Sequence, residues 1–103
     1  MDYVLPIGSV ISVYGIEKRV MVTGVRQVEP ETGKTWDYCG CAYPEGIINS
    51  RELVLFDQAH IDSLYFMGFR DGEGLRFTRK LLETGEMPSP GTLNGGDSSW
   101  PES

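Results

Sequence analysis

The chain has 103 residues, 40% of them hydrophobic and 11% aromatic, which suits one globular domain with a modest core and little room for a buried active site. Its formal net charge of −6 and its scattered lysines and arginines would repel a polyphosphate backbone, so we expect no nucleic-acid partner. No run approaches the roughly 20 apolar residues that cross a bilayer, and the first residues do not have the pattern of a signal peptide. We therefore expect a cytoplasmic protein without a membrane span.

The first half of the chain predicts two β-hairpins. Residues 7–14 and Arg19–Val28 are rich in β-branched side chains, and the second run has apolar residues on both faces, as a central strand does. A charged turn at residues 29–34 then leads into an aromatic strand, Thr35–Tyr43. Pro44-Glu45-Gly46 should end this strand, since proline cannot donate to the ladder and glycine allows a reversal.

The second half predicts two more strands and a helix. Residues 53–56 form a short apolar strand, Asp57 caps a single helical turn, and residues 61–69 are extended. Residues 72–83 separate apolar from charged side chains at helical spacing, and the apolar side consists of Leu75, Phe77, Thr78, Leu81 and Leu82. That side should cover the sheet or dock onto a partner.

These elements predict an α+β fold. We expect about five strands in a strongly bent antiparallel sheet or a small SH3-like barrel, followed by one C-terminal helix. Residues 1–85 should form a single globular domain. Residues 86–103 are rich in proline, glycine and serine and bury too little apolar surface to offset ordering, so we predict a flexible tail that carries Trp100.

The run Cys39-Gly40-Cys41 invites a metal or redox interpretation. A disulfide between cysteines one residue apart would close a small strained ring, and a structural zinc site needs about four ligands, whereas the chain adds only His60 to its two cysteines. We therefore expect no metal, no cofactor, and two free cysteines buried in the sheet. A thiol-dependent redox protein that uses Cys39 and Cys41 stays open as an alternative.

Other catalytic arrangements find little support, and we expect a protein that is not an enzyme and has no catalytic residues. Nothing in the spacing brings His60 to a nucleophile. Asp37 and Glu45 lie at the two ends of the third strand. At the usual rise per residue they are more than about 20 Å apart, which is too far for them to act together in acid–base catalysis.

Aromatic residues are the remaining clue to function. The strands carry more aromatic side chains than a small core must hide, and aromatic residues are favoured at protein interfaces. Tyr38, Tyr43 and Phe69 are the candidate partner-binding residues, and an exposed sheet edge is the second candidate surface. The alternative, in which all the aromatic residues pack inside a small barrel, stays open.

Several short motifs occur together in a fixed order along the chain. They are Leu5-Pro6-Ile7-Gly8-Ser9-Val10-Ile11, Lys18-Arg19-Val20-Met21-Val22-Thr23-Gly24, Asp37-Tyr38, Tyr43-Pro44-Glu45-Gly46, Phe56, Ile61 and Phe66-Met67-Gly68-Phe69. On these motifs, residues 5–83 resemble an uncharacterised small domain family of Firmicutes that is encoded beside LXG-type toxin genes at type VII (ESX-like) secretion loci.

The resemblance implies a small cytoplasmic accessory protein. Such a protein would act as a chaperone or targeting factor that binds an LXG toxin or its helical companions before export, and the resemblance brings no catalytic residues. An alternative from the same binding class is an immunity protein that neutralises a cognate toxin, because an acidic surface would suit a basic target.

Overall fold

A computed structural model of the protein describes residues 3–85, apart from the side chain of Ser50. The predicted tail at residues 86–103, with Trp100, lies outside the described residues, so the domain boundary stays a prediction. In chain order the elements are β1 (Val10–Val13), β2 (Arg19–Val28), β3 (Thr35–Tyr43), β4 (Val54–Phe56), β5 (Ile61–Phe66) and α1 (Gly72–Thr84), with short 3-10 turns at Ser50–Glu52 and Gln58–His60.

The five strands form one antiparallel sheet in the order β4-β3-β2-β1-β5. The predicted α+β fold and the central position of β2 are therefore confirmed. The sheet is open, because β4 and β5 lie at its two edges and do not pair with each other. It is thus the sheet, and not the closed barrel, that forms. No helix within residues 3–85 is long and apolar enough to cross a membrane.

Three strands are shorter than predicted, and β4 begins at Val54 and not at residue 53. β1 begins at Val10 and not at residue 7, because Gly8 has a φ of 92° and the Ser9 N–H turns back to the Pro6 carbonyl at 3.2 Å. β5 ends at Phe66 and not at residue 69. The late start of β1 and the early end of β5 arise where the chain segment before β1 meets the segment after β5.

A β-bulge in β2 keeps its valines in the core. Val20, Val22 and Val25 are all buried, although their spacing changes from two residues to three. The register against β3 shifts between Val22 and Gly24, so Thr23 is an extra residue in the strand. An extra residue inverts the alternation of side chains and returns Val25 to the core face. The wide apolar pattern of β2 therefore reflects one core face with a bulge and not a strand covered on both sides.

The core lies on one face of the sheet, where the N-terminal segment (residues 3–9) and α1 cover it. Its main cluster is formed by Val4, Leu5, Ile11, Val13, Val20, Val22, Val25, Tyr38, Phe56 and Leu81, with Phe77 and Leu82 packed against it. Leu75, predicted on the apolar side of the helix, is exposed. The helix begins after Asp71, whose carboxylate accepts the Gly74 N–H at 2.9 Å, and ends at Gly85 in the left-handed conformation.

A buried serine joins the N-terminal segment to the connection between β5 and α1. The Ser9 hydroxyl is fully buried, donates to the Pro6 carbonyl at 2.7 Å and accepts the Gly68 N–H at 2.9 Å. A Cβ at Gly68 would lie 2.3 Å from the Ile7 carbonyl oxygen, so only glycine permits this approach. The two segments, 59 residues apart in sequence, are thereby held in backbone contact.

Replacing Ser9 with alanine should destabilise the domain. The Gly68 N–H would lose its acceptor in a buried position, and we expect a loss of about 1–3 kcal/mol in the free energy of unfolding. Urea denaturation at neutral pH measures this loss. Ser63→Ala, at an exposed position of β5, is the matched control and should change little. Equal stability of the two variants would contradict the role assigned to Ser9.

Candidate functional site

The structure places Tyr38, one of the three predicted partner-binding residues, inside the core. Its side chain is 0% exposed, and its ring stacks on Phe56 with 5.4 Å between centroids. The hydroxyl accepts the Leu5 N–H at 3.0 Å and donates to Oε1 of Gln58. The Tyr38 ring is therefore not accessible to a partner in the folded domain. Its hydroxyl holds the N-terminal segment and the turn before β5 in place.

Burial raises the pKa of the Tyr38 hydroxyl above its usual 10.0, and the nearby Asp37 carboxylate raises it further, while the hydrogen bond from Leu5 lowers it. Above about pH 10 the unfolded tyrosine ionises before the folded one does. Unfolding then releases a proton, so the stability that depends on the neutral hydroxyl is complete below pH 10 and is lost as the pH rises above it.

Tyr38→Phe should cost about 1–3 kcal/mol at pH 7, because the Leu5 N–H and the Gln58 side chain lose a buried partner while the ring stacking is kept. The difference in the free energy of unfolding between wild type and variant should shrink between pH 9 and pH 11. Urea denaturation at both values tests this. Tyr14→Phe, at an exposed tyrosine, serves as the control. A difference that grows with pH would contradict the assignment.

The two cysteines lie on the side of β3 that faces away from the main core. Cys41 pairs in register with Met21. Cys39 pairs with Gly24, the residue after the bulge in β2, and its Sγ lies 3.5 Å from the Thr23 hydroxyl. Both are free and buried, as predicted. Among residues 3–85, no three His, Cys, Asp or Glu side chains come together as metal ligands would. The burial of both cysteines leaves no exposed thiol in this strand.

The buried thiols should react with the Ellman reagent only as fast as the native protein opens. We expect slow labelling of both cysteines without denaturant and rapid labelling of both in urea. Ser63→Cys supplies an exposed reference thiol that should react at once. Rapid labelling of native wild type would contradict the burial and would favour the thiol-dependent redox alternative.

The carboxylates that bracket β3 do not meet. Glu45 is bound by Lys18 at 2.8 Å, and the pKa of its exposed carboxyl is lowered by this hydrogen bond. Asp37 instead lies beside Asp57: the Asp37 N–H donates to Asp57 at 3.0 Å, and Asp37 accepts the Gln58 N–H at 2.9 Å. Each carboxylate thus accepts a backbone hydrogen bond from the other segment. These two hydrogen bonds join the end of β4 to β3, so the carboxylates of Asp37 and Asp57 both have a structural role.

His60 belongs to the same turn. Its Nδ1 accepts the Asp57 N–H at 2.9 Å, which completes a capping box around the turn Gln58–His60. The predicted cap at Asp57 is thus present. The imidazole has a local structural partner, and neither cysteine is among its hydrogen-bond partners within the described residues.

Tyr43 lies on a different surface, which we call the aromatic face. It is formed by Val10, Arg19, Met21, Tyr43, Tyr65 and Phe66 and surrounds a hollow of about 440 Å³. The sheet register brings these residues together, since Val10 pairs with both Met21 and Phe66 and Arg19 pairs with Tyr43. A register shift between Val10 and Ile11 allows the consecutive residues Tyr65 and Phe66 to line the same hollow.

The aromatic face is markedly exposed. Tyr65 is 58% and Phe66 60% exposed, and both lie on β5, an edge strand in which every residue after Ile61 is exposed. The guanidinium of Arg19 lies over the Tyr65 ring, 5.1 Å from its centroid. Exposed aromatic residues that adjoin a free strand edge are typical of a protein-binding surface.

Phe69 lies apart from Tyr43. It is 82% exposed and lines a separate groove of about 440 Å³ between the N-terminal segment and α1, with Ile7 and Phe77 among its walls. The three predicted residues therefore occupy three places: the core, the aromatic face and this groove. Whether Tyr43 and Phe69 contact a partner stays a prediction. The prediction did not include Tyr65 and Phe66, whose position depends on a register shift that no residue pattern marks.

Comparison with known proteins gives one family. The family model described as Domain of unknown function (DUF4176) matches residues 4–77. Neither the search of curated proteins nor the search of solved structures found a significant match. The match confirms the expected membership of an uncharacterised domain family, and it carries no statement about toxins or secretion.

Proposed function

The chain belongs to the family described as Domain of unknown function (DUF4176), and we propose that it is a non-enzymatic domain that binds a protein partner through the aromatic face. The observation that carries the proposal is the exposure of Tyr65 and Phe66 on an edge strand, next to Tyr43 and the hollow. Burying two large aromatic side chains is worth about 1.5–3 kcal/mol each, so this surface can supply much of an interface's energy.

The free edge of β5 offers a second means of contact. In the order β4-β3-β2-β1-β5, this strand pairs only with β1, so its outer backbone groups are available within the described sheet. Charged residues and proline commonly block pairing at a strand edge. β5 contains a single charged residue, Asp62, and no proline. A partner strand added here would contact the aromatic face at the same time.

We assign the partner from the family resemblance. The gene neighbourhood that the resemblance implies favours an LXG-type toxin, or a helical companion of it, as the bound protein. The domain would then act in the cytoplasm as a chaperone or targeting factor for type VII secretion. The absence of an assembled acid–base or nucleophilic group among residues 3–85 fits a binding role, because Asp37, Glu45, Asp57 and His60 all have local structural partners.

An immunity protein that neutralises a toxin is the second candidate, and the net charge of −6 favours it where the toxin domain is basic. The two roles differ in the part of the toxin that is bound. A chaperone or targeting factor would bind the N-terminal helical region, whereas an immunity protein would bind and inhibit the catalytic domain.

Co-expression with an LXG toxin, the neighbour that the family resemblance implies, tests the proposal. The tagged wild-type domain should capture the N-terminal region of the toxin, and the double variant Tyr65→Ala/Phe66→Ala should capture at least about tenfold less, since two hot-spot side chains are lost. Tyr14→Ala removes an equally exposed tyrosine beyond the other end of the β1–β5 ladder and should capture normally.

Thermal unfolding of each variant shows whether the domain remains folded. Failure of the wild type to capture either part of the toxin would overturn the proposal. Capture of the catalytic domain alone, with inhibition, would replace the chaperone role with the immunity role. Equal capture by the double variant and wild type would move the binding surface away from the aromatic face.

A further inference from the structure

One cation in the aromatic face has no acidic partner. Arg19 is exposed at the start of β2, and the ion pairs among residues 3–85 join Lys18 to Glu45, Arg26 to Asp37 and Lys34 to Asp57. Arg19 takes part in none of them. The remaining residues that line the hollow are Gly8, Val10, Met21, Tyr43, Tyr65 and Phe66, so no carboxylate lines it.

Arg19 differs from the other cations without an ion pair in its surroundings. Of the nine lysines and arginines, only Lys18, Arg26 and Lys34 form ion pairs among residues 3–85, and Arg19 is the unpaired cation that lines the hollow. Glu17, the acidic residue nearest to Arg19 in sequence, forms no ion pair with it within the described part of the chain, and Lys18 holds Glu45 at 2.8 Å. Among residues 3–85, Arg19 therefore has no ion-pair partner, and it lies in a hollow whose other lining residues carry no charge.

The Tyr65 ring positions the guanidinium. A cation 5.1 Å from a ring centroid is attracted to the ring face, and this contact restricts a side chain that would otherwise sample many rotamers. The planar guanidinium keeps its N–H donors at its edge, where they can bind both oxygens of a carboxylate. Apolar neighbours reduce the screening of such a pair by water.

We propose that the hollow of the aromatic face binds a carboxylate carried among apolar side chains of the partner, with Arg19 as the charge-binding residue and Tyr65 as its positioning residue. The inference rests on the proposed function and specifies what this surface selects. Arg19 binds the carboxylate in bidentate fashion, and Val10, Met21 and Phe66 contact the adjoining aromatic or aliphatic group. The volume of about 440 Å³ fits a group of that size.

The test uses the full chain and a small probe that combines the two features. Titration of ¹⁵N-labelled protein with 3-phenylpropionate should give saturable backbone shifts at Gly8, Arg19, Met21, Tyr43 and Tyr65. Its neutral amide, 3-phenylpropionamide, should bind at least about fivefold more weakly, since it lacks the charge. Inorganic phosphate, an anion without an apolar group, should not saturate the same signals.

Two substitutions separate charge from position. Arg19→Gln should abolish the preference for the acid over the amide, while Arg51→Gln, at an exposed arginine in the turn Ser50–Glu52, should leave it unchanged. Tyr65→Leu keeps the charge and an apolar side chain, and it should reduce the preference without abolishing it. Unchanged amide signals in the core strands confirm that each variant is folded.

Equal binding of acid and amide, the absence of saturable shifts, or equal saturation by phosphate would each overturn the inference. A concentration-dependent dimer that excludes the probe would also overturn it, because a second copy would then be the occupant. Toxin capture by the wild type without probe binding would leave the proposed function intact and remove only the carboxylate specificity. Probe binding without toxin capture would remove the proposed partner while the acid-selective hollow remained.

Discussion

The structure depends on covering one face of a five-stranded sheet with very little chain. One helix and the N-terminal segment supply the cover, and Leu81, Val4 and Leu5 are its buried contacts. Two hydrogen-bonded centres hold the cover in place: the Tyr38 hydroxyl, which accepts the Leu5 N–H, and the Ser9 hydroxyl, which accepts the Gly68 N–H. Each satisfies a backbone group that would otherwise be costly to bury.

Because so little chain is available to cover the sheet, side chains on its other face remain exposed. No second helix is present within residues 3–85 to cover Tyr43, Tyr65 and Phe66. Leaving such side chains in contact with water forgoes apolar burial and promotes non-specific association, so an arrangement of this kind is typical of surfaces that a partner covers. Under the carboxylate-binding proposal, Arg19, which lines the hollow on this surface, adds selectivity to what apolar contact alone would bind.

Much of the fold could be predicted from the sequence because its signals are local. The β-branched residues of β2, the aromatic residues of β3, the Pro44-Glu45-Gly46 stop, the cap position at Asp57 and the spacing of α1 are each signalled by residues close together in sequence. The candidate site could not be predicted to the same extent. The burial of Tyr38 depends on contacts with Leu5 and Gln58 that are distant in sequence, and the pairing of Tyr65 with Phe66 on one surface depends on a register shift. The spacing of Val22 and Val25 predicts a strand with two apolar faces, because a regular strand would place them on opposite faces; the register shift shows that a bulge puts both on one face.

Hydrogen exchange on the domain, free and in complex with the proposed LXG toxin partner, tests the central claim most directly. If the aromatic face and the edge of β5 bind the partner, the amides of Ile61–Phe66 and of the first half of β2 should become protected, while those of β4 and α1 should not change. Protection confined to α1 and the groove around Phe69 would contradict the account, because the partner would then bind the face that the protein itself already covers.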